Sequence, residues 1–452
     1  MQIVDLIIKN GTIVTSRGRF RAGIAVDEGR IVLVGSESHL PDADSVIDAE
    51  GKCVLPGVID AHVHFRDPGN PEREDFANGT AAAASGGVTT VLDMPGTVPA
   101  VLSADVFQEK VESIRDKAYV DFGLYGGATA ENLEDLEGLA QAGAVAFKTY
   151  MPKGTSYSAS DDVSLFRVFE KLASTSLRCS VHAENGAIIE YLAQKLLAEG
   201  RRDIMVHAES RPNFVEAEAI SKAIVFANAV KAKVHIAHTS SSEGVQILQS
   251  AKAIGQKVTS ESCPQYLLLT ADDFRKEGPY AKIQPPLRST TDVEALWEGL
   301  RNGIIDIVAS DHAPYTKAEK EPGFTDLFKA RSGMPGVETM LPLMLTKVNE
   351  GELSLERLVE AMSESVSRIF GLYPRKGKIE IGSDADFTIV DMGCEESIKA
   401  ADLHTKWPES IVYDGWKVKG VPTATIVRGE LVMREGQIVG KLGSGKLVRP
   451  GH

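Results

Sequence analysis

Short stretches in which apolar and polar residues alternate occupy both ends of the chain. Apolar positions recur around Ile7, Ile13 and Ile24, and Asn10-Gly11 is a turn signal between them. Comparable runs near the other end cover residues 386–390, 423–427 and 431–432. A period of two residues between turn signals predicts short β-strands. Because chain termini commonly lie close together, we predict one small β-sandwich domain built from residues 1–55 and 375–452.

The middle of the chain, residues 56–374, alternates between strand-like apolar runs and helical patterns. The strand-like runs cover residues 58–61, 88–94, 120–125, 144–150, 179–183, 234–237, 258–262 and 304–310. The helical patterns between them include residues 104–117, 188–199, 216–229 and 292–301. Eight strands alternating with helices over this length predict an α/β fold of the (β/α)8 TIM-barrel type. A doubly wound sheet is the alternative, but no G-x-G-x-x-G follows an early strand, which disfavours its nucleotide-binding forms.

Composition and charge narrow the classes of function. Hydrophobic residues make up 43% of the 452 residues and charged residues 25%, which permits a large packed core and argues against global disorder. The 63 acidic residues outnumber the 49 basic ones, so the net charge is −14. Such a surface repels phosphate backbones, which argues against nucleic acid as the main partner. A small anion is still compatible with this charge, because one local arginine can outweigh the mean field.

The cysteines and the first residues bear on the cellular setting. Cys53, Cys179, Cys263 and Cys394 form no C-x-x-C pair, so neither a thiolate zinc knuckle nor a disulfide framework is expected. The start, MQIVDLIIKNGTIV, lacks a basic segment followed by a long apolar one, so we expect no signal peptide. No apolar run approaches the ~20 residues that span a bilayer. The sequence therefore predicts a soluble, cytoplasmic enzyme without a membrane partner.

Ionisable residues lie at or near the ends of five of the eight strand-like runs. They are His62, His64, Lys148, His182, His238 and Asp311. A barrel brings the carboxyl ends of its strands to one mouth, so we expect all six side chains in one site. A single histidine at a strand end is more often a hydrogen-bonded structural residue. That interpretation is kept for His207, His235, His312 and His404.

Four imidazoles and one carboxylate form a ligand set that suits zinc or a similar divalent ion. Five ligands exceed one tetrahedral site, so we predict two metal ions joined by a bridging anion. A neutral Lys148 amine can react with CO2 to give a carbamate, which is a bidentate anion of this kind. Such a centre activates a water for attack on a carbonyl carbon, and Asp311 would take the proton of that water.

Seven motifs of the sequence resemble those of one enzyme group. They are P-G-V-I-D-A-H-V-H-F-R-D-P-G (56–69), F-K-T-Y (147–150), V-H-A-E (181–184), I-A-H-T-S-S (236–241), E-S-C-P-Q-Y (261–266), K-I-Q-P-P-L-R (282–288) and A-S-D-H-A-P (309–314). The group is the cyclic-amide hydrolases of the amidohydrolase superfamily, which comprises dihydroorotases, hydantoinases, dihydropyrimidinases and allantoinases. The resemblance covers essentially the whole chain. It implies a TIM barrel with a binuclear centre, hydrolysis of a small cyclic amide at a C–N bond, and a homo-oligomer, either a dimer or a tetramer.

The resemblance also implies a role for each candidate ligand. By carry-over the ligands are His62, His64 and Asp311 for the first ion, His182 and His238 for the second, and carboxylated Lys148 as the bridge between them. Zinc is the expected metal at both positions, and Asp311 is the expected catalytic residue.

The substrate depends on the residues that surround the amide ring. Dihydroorotate carries a carboxylate, and Arg66 in H-V-H-F-R-D-P-G matches the arginine with which dihydroorotases bind it. A guanidinium fork suits a carboxylate. The alternative interpretation is structural, with Arg66 paired to Asp67, Glu72 or Asp75 of its own segment.

Three positions that are expected to contact the substrate depart from the dihydroorotase pattern. Gly96 and Gln284 stand where dihydroorotases have asparagine, and Tyr315 stands where they have histidine. Losing even one charged hydrogen bond costs about 1.5–3 kcal/mol, so dihydroorotate would bind less well. Gly96 would also leave room beside the ring for a bulkier substituent.

Four other stretches are close to those of L-selective hydantoinases, over residues 121–127, 278–283, 320–326 and 338–346. Those enzymes lack an arginine at the position of Arg66. The sequence therefore predicts a dihydroorotase-like enzyme first and a hydantoinase second. Allantoinase and dihydropyrimidinase are the further alternatives, acting on an uncharged or bulkier cyclic ureide.

Two other classes of protein can use the same fold. A catalytically inactive binding protein is expected to have lost metal ligands, and none of the six is missing here. A lactonase, a deaminase or a phosphotriesterase is not expected to carry the segments H-F-R-D-P-G and S-C-P-Q-Y. Both classes are therefore disfavoured.

Overall fold

The structure is a computed structural model that describes residues 3–153 and 157–451, and its fold is mixed α/β. The N-terminal strands are β1 (Val4–Lys9), β2 (Thr12–Thr15), β3 (Gly18–Arg21), β4 (Gly23–Asp27), β5 (Arg30–Gly35), β6 (Ala43–Asp48) and β7 (Cys53–Pro56). The central strands are β8 (Val58–Val63), β9 (Val88–Asp93), β10 (Asp121–Leu124), β11 (Gly126–Gly127), β12 (Phe147–Tyr150), β13 (Arg178–His182), β14 (Lys233–Ile236), β15 (Val258–Ser262) and β16 (Ile307–Val308). The C-terminal strands are β17 (Phe387–Ser397), β18 (Lys417–Val427), β19 (Glu430–Arg434) and β20 (Gln437–Ile438).

Most helices lie between the central strands. They are α1 (Phe76–Ser85), α2 (Ala104–Ile114), α3 (Leu136–Ala142), α4 (Asp162–Leu172), α5 (Gly186–Ala198), α6 (Val206–Glu209), α7 (Asn213–Val230), α8 (Ser242–Ala253), α9 (Pro264–Leu268), α10 (Ala271–Glu277), α11 (Thr290–Arg301), α12 (Lys317–Lys320), α13 (Met340–Asn349), α14 (Leu355–Val359) and α15 (Ser365–Ile369). Each of the eight predicted apolar runs overlaps a strand, and each of the four quoted helical patterns overlaps a helix. The alternation predicted from the sequence is therefore confirmed.

Helix α2 illustrates how the local sequence builds these elements. The Ser103 side chain accepts a hydrogen bond from the Val106 backbone N–H and so caps the first turn of the helix. Phe107, Lys110 and Ile114 recur at helical spacing and are all buried. Burying Phe107 and Ile114 contributes roughly 1.5–3 kcal/mol each. The buried Lys110 ammonium lies 2.5 Å from a carboxylate oxygen of Asp93, at the end of β9.

The central strands are parallel and form two sheets. One has the order β10-β9-β8 and the other the order β11-β12-β13-β14-β15-β16. Backbone hydrogen bonds also run between the edges of these sheets: the Val145 N–H donates to the Leu124 carbonyl at 2.9 Å, and the His64 N–H donates to the His312 carbonyl at 2.8 Å. All the carboxyl ends of the parallel strands therefore face the same side.

The two chain termini contribute to a common sheet and to a common core. Strand β7 pairs with β17, with Val54 opposite Ile389, inside a sheet of the order β20-β19-β18-β17-β7-β2-β3. A second sheet has the order β5-β4-β1-β6. Apolar side chains from both sheets, such as Ile8, Val54 and Phe387, belong to one buried cluster. Segments from both ends of the chain therefore share one sheet and one buried cluster.

A buried cluster of ion pairs links the segment before the C-terminal strand β17 to the central strand β10. The Lys376 ammonium lies 2.7 Å from Asp121, 3.1 Å from Asp384 and 2.5 Å from Asp386. The three carboxylates lie close enough together to hold a cation, and the lysine supplies that positive charge. Within residues 3–153 and 157–451, no helix is both long and apolar enough to cross a membrane.

Candidate metal centre

The six predicted ligands lie in or just after five of the parallel strands, and they surround one cleft. His62 lies in β8, Lys148 in β12 and His182 at the end of β13, while His64, His238 and Asp311 follow β8, β14 and β16. The cleft has a volume of about 570 Å³ including its open mouth, and its walls include all six residues. Because the carboxyl ends of the strands lie on one side, residues up to 249 positions apart in the sequence meet here.

Three of the six form a compact group. The Nε2 atoms of His62 and His64 each lie 3.3 Å from the same Asp311 carboxylate oxygen. Ligand atoms of these three side chains all lie within 4.8 Å of one another. Two imidazoles and a carboxylate at this spacing can hold a divalent ion.

The other three lie beside this group. The ring centroids of His182 and His238 are 4.5 Å apart, and that of His238 is 5.5 Å from that of His62. The Lys148 amine lies 3.5 Å from His62 Nε2. Lys148 is fully buried, and within the described residues it forms no ion pair. The Lys148 amine therefore contacts His62 of the first group, but no carboxylate among the described residues pairs with it.

Burial sets the protonation states of these side chains. Burial, together with the neighbouring Arg66 charge, lowers the pKa of His64 to about 3. Burial also lowers the pKa of His182 and takes that of His238 well below its ordinary value. The lowered pKa values favour the neutral imidazole at His64, His182 and His238, which is the form that binds metals. Burial likewise lowers the Lys148 pKa, which favours the uncharged amine.

For Asp311, the effect of the neighbouring histidines on the pKa outweighs the effect of burial. Burial alone would raise its pKa, but His62, His64 and His238 more than offset that effect and hold the pKa below the ordinary value. Its backbone φ of 49° lies in the left-handed region, as does the φ of 36° at His238. Non-glycine residues seldom adopt this conformation, and it occurs at sites where the fold over-determines the backbone.

Carboxylates outside the cleft orient the histidines. His182 Nε2 lies 2.7 Å from Glu184, and His62 Nδ1 is hydrogen-bonded to Glu261. This is the arrangement in which metal-binding histidines are found, with one nitrogen free for the metal. The buried Nδ1 of His238 has no hydrogen-bond partner in the described part of the chain. A bound cation would give an orphaned imidazole nitrogen a partner, so the donor set fits a divalent metal.

Arg66 lies in the wall of the cleft without a carboxylate partner among the described residues. It donates hydrogen bonds to the Gly96 carbonyl at 3.1 Å and to the Tyr315 hydroxyl at 3.2 Å. Of the acids offered as structural partners, Asp67 pairs with Lys117 at 2.9 Å and Asp75 with Lys406 at 2.5 Å. Within the described residues, Arg66 forms no ion pair with Asp67, Glu72 or Asp75.

The other predicted substrate contacts differ in their position. Gln284 and Tyr315 lie in the wall of the cleft. Gly96 is buried and is not among the described residues that line the cleft, and its carbonyl accepts the hydrogen bond from Arg66. The expected free space beside the ring at Gly96 stays a prediction.

Sequence reasoning missed several residues around the site. Tyr150 and Lys153 lie in the cleft wall, and the spacing of Tyr150 to Lys148 along one strand was a usable signal, since residues i and i+2 share a face. Glu184 and Glu261 lie within quoted motifs, but no role was derived for them. The histidines interpreted as structural have partners elsewhere, such as Ile283 for His207 at 2.6 Å.

Comparisons with known proteins agree with this geometry. The sequence profile of the amidohydrolase family matches residues 53–432. An L-hydantoinase from Paenarthrobacter aurescens is 40% identical over 451 residues, which is 98% of each chain. An allantoinase from Rubrobacter xylanophilus is 38% identical over 100% of this chain and 98% of its own, and a dihydroorotase from Methanosarcina mazei is 35% identical over 98% and 97%. The solved structure of the L-hydantoinase (dihydropyrimidinase) from Arthrobacter aurescens superimposes with a TM-score of 0.97 at 39% identity, covering 99% of this chain and 100% of that one.

Proposed function

Because the chain belongs to the amidohydrolase family and is an enzyme acting on cyclic amides, we propose that it is a metal-dependent hydantoinase. The observation that carries the choice of substrate is the likeness to the L-hydantoinase over nearly the full length of both chains. The reaction adds water across one ring C–N bond and opens the ring. The substrate preferred on the sequence alone was dihydroorotate, and the relatives favour the second choice.

We propose that the centre holds two divalent ions, with zinc at both positions. The ligands would be His62, His64 and Asp311 for one ion, His182 and His238 for the other, and carboxylated Lys148 between them. When bound, such ions polarise an amide carbonyl and lower the pKa of a coordinated water. The neutral imidazoles and the orphaned nitrogen of His238 support this assignment.

Carboxylation of Lys148 follows from the state of its amine. The uncharged amine adds to the carbon of CO2, and the nitrogen loses one proton, which gives a carbamate with two oxygen donors. Burial favours the uncharged form, and no carboxylate among the described residues competes for the amine. The product would supply the negative charge that a pair of cations needs.

Asp311 is the residue that we expect to move the proton. Its carboxylate lies between His62 and His64, and its low pKa keeps it ionised at neutral pH. It can accept a proton from the attacking water and then deliver it to the leaving ring nitrogen. Both transfers need the same oxygen within hydrogen-bond distance of the reacting atoms.

Arg66 supports a second candidate, dihydroorotase. Its guanidinium lies in the cleft wall with only neutral partners, so it could bind a substrate carboxylate. Tyr315 nevertheless lacks the positive charge that a histidine can carry at this position, and Gly96 lacks the side-chain amide of the asparagine in the dihydroorotase pattern. Tyr315 already accepts one of the Arg66 hydrogen bonds, which lowers the capacity of the arginine for an anion.

We also propose that the central strands close into a barrel and that the terminal sheets form a β-sandwich. Closure is supported by the hydrogen bonds from Val145 to Leu124 and from His64 to His312, which span both gaps between the parallel sheets. The domains would be residues 56–374 for the barrel and 1–55 with 375–452 for the sandwich. The homo-oligomer stays a prediction.

A panel of cyclic amides tests the proposed function. The protein, prepared with zinc and bicarbonate, would be assayed on hydantoin, dihydrouracil, allantoin and dihydroorotate by loss of the ring chromophore. We expect the highest kcat/KM for hydantoin or its 5-substituted derivatives. A higher value for dihydroorotate would favour the second candidate, and no turnover of any ring would refute both.

A further inference from the structure

Glu261 is a fully buried carboxylate at the end of β15, a strand that supplies none of the proposed ligands. One of its oxygens accepts hydrogen bonds from His62 Nδ1 and from the His238 backbone N–H, the latter at 3.2 Å. Its other oxygen accepts from His235 Nε2 at 3.1 Å. Three histidines from two strands, His62 of β8 and His235 and His238 of the β14 segment, therefore converge on one side chain.

These contacts connect the two halves of the proposed centre. His62 belongs to the group with His64 and Asp311, whereas His238 belongs to the group with His182. Within residues 3–153 and 157–451, Glu261 is the one side chain that is hydrogen-bonded to a member of each group. By contrast, Glu184 contacts His182 at 2.7 Å and Arg211, and neither is in the first group.

Each contact has a definite effect on a ligand. A carboxylate accepts but does not donate, so His62 must carry its proton on Nδ1 and present its Nε2 lone pair to the cleft. That Nε2 is the atom 3.3 Å from Asp311 and 3.5 Å from Lys148. The bond to the His238 N–H holds a residue whose φ is 36°, a conformation that needs support from its surroundings.

A further hydrogen bond fixes the carboxylate itself. Because Glu261 accepts from His235 Nε2, the Nδ1 of His235 is an acceptor, and the Thr259 hydroxyl donates to it at 2.9 Å. His235 is fully buried and lies outside the cleft. The hydrogen bonds from Thr259 to His235 and from His235 to Glu261 therefore hold the Glu261 carboxylate in a single orientation.

We propose that Glu261 is a positioning residue that couples the two metal sites, so that loss of its charge weakens the binding of both ions together. The inference rests on the proposed binuclear centre. It also assigns a role to His235, which orients Glu261 and, among the described residues, forms no hydrogen bond to a proposed ligand.

Zinc binding to Glu261→Gln and Glu184→Gln tests the coupling. Metal-free wild-type and variant proteins, with bicarbonate present, would be titrated with zinc against a chromophoric chelator, which gives both the stoichiometry and the two dissociation constants. We expect two ions in the wild type, and in Glu261→Gln an increase of about 10–100-fold in both dissociation constants. Glu184→Gln is the matched control and should weaken one site only.

Circular dichroism and thermal unfolding would show whether each variant is folded. His235→Leu gives a second route, since it removes a donor to Glu261 without touching a ligand and should weaken both ions by a smaller, similar factor. His235→Gln keeps a donor and should restore both affinities. If Glu261→Gln or His235→Leu weakens only one ion, or neither, while the wild type binds two, the coupling is refuted and the proposed function stands. A wild type that binds no zinc would overturn the proposed function and the inference with it.

Discussion

Replacing Arg66 by methionine should separate charged from uncharged substrates. Methionine keeps much of the apolar bulk but removes the two hydrogen bonds to the Gly96 carbonyl and the Tyr315 hydroxyl. Each bond from a charged donor is worth about 1.5–3 kcal/mol, so the protein should lose some stability while remaining folded. In Arg66→Met, the carboxylate of a bound dihydroorotate would have no cationic partner. Such an unpaired carboxylate costs about 2–5 kcal/mol, which corresponds to a loss of about 30-fold to several thousand-fold in kcat/KM for that substrate.

The assay compares kcat/KM for dihydroorotate and for hydantoin in the wild type and in Arg66→Met. Hydantoin turnover should fall much less, because no anion depends on the guanidinium. Arg73→Met is a matched control: its guanidinium lies 5.1 Å from the Tyr315 ring centroid, but it is paired with Glu319 at 2.6 Å. Arg73→Met should affect both substrates equally. If Arg66→Met lowers kcat/KM equally for dihydroorotate and for hydantoin, the arginine has only a structural role.

Three further changes test other parts of the account. Asp311→Asn keeps the shape but removes the base, so turnover should fall by about 10²–10⁴-fold; near-normal turnover with full metal content would exclude the proton transfer. Lys148→Ala should lower the zinc content below two per chain, with partial rescue by short carboxylic acids; an unchanged content by elemental analysis would rule out the bridge. Burial lowers the pKa of Lys282 from 10.5 to about 7, so above pH 7 the unfolded chain holds a proton that the folded one has lost. This lysine should therefore add about 2–3 kcal/mol to the free energy of unfolding between pH 7.5 and 9.5, and in urea unfolding Lys282→Met should lower the rise with pH by that amount. The same slope in both proteins would contradict this prediction.

The convergence of the six proposed ligands was predictable from the sequence because strand ends are local features. An apolar run shows where a strand ends, and parallel strands bring those ends to one side. His62, His182 and Asp311 could therefore be grouped before any distance was known. The preference of divalent metal ions for imidazole and carboxylate ligands then indicated a metal-dependent hydrolysis.

The surroundings of the ligands were not predictable in the same way. Glu261 contacts His62 across 199 residues, and nothing in the local pattern of β15 reveals which side chain it faces. The hydrogen-bond and ion-pair partners of Arg66 depend on how its loop folds. From the sequence, Asp67 was a reasonable ion-pair partner for Arg66, but in the structure Asp67 is paired with Lys117. Substrate choice depends on such loop contacts, and for this reason the reaction was easier to predict from the sequence than the substrate ring.

The most direct test of the central claim is a zinc titration of the metal-free protein in bicarbonate, followed by the initial rate of hydantoin ring opening. A binuclear enzyme should be inactive without metal, and its rate should rise with added zinc and level off at two equivalents per chain. Full activity in the presence of a strong chelator, or a plateau at one equivalent, would contradict the account.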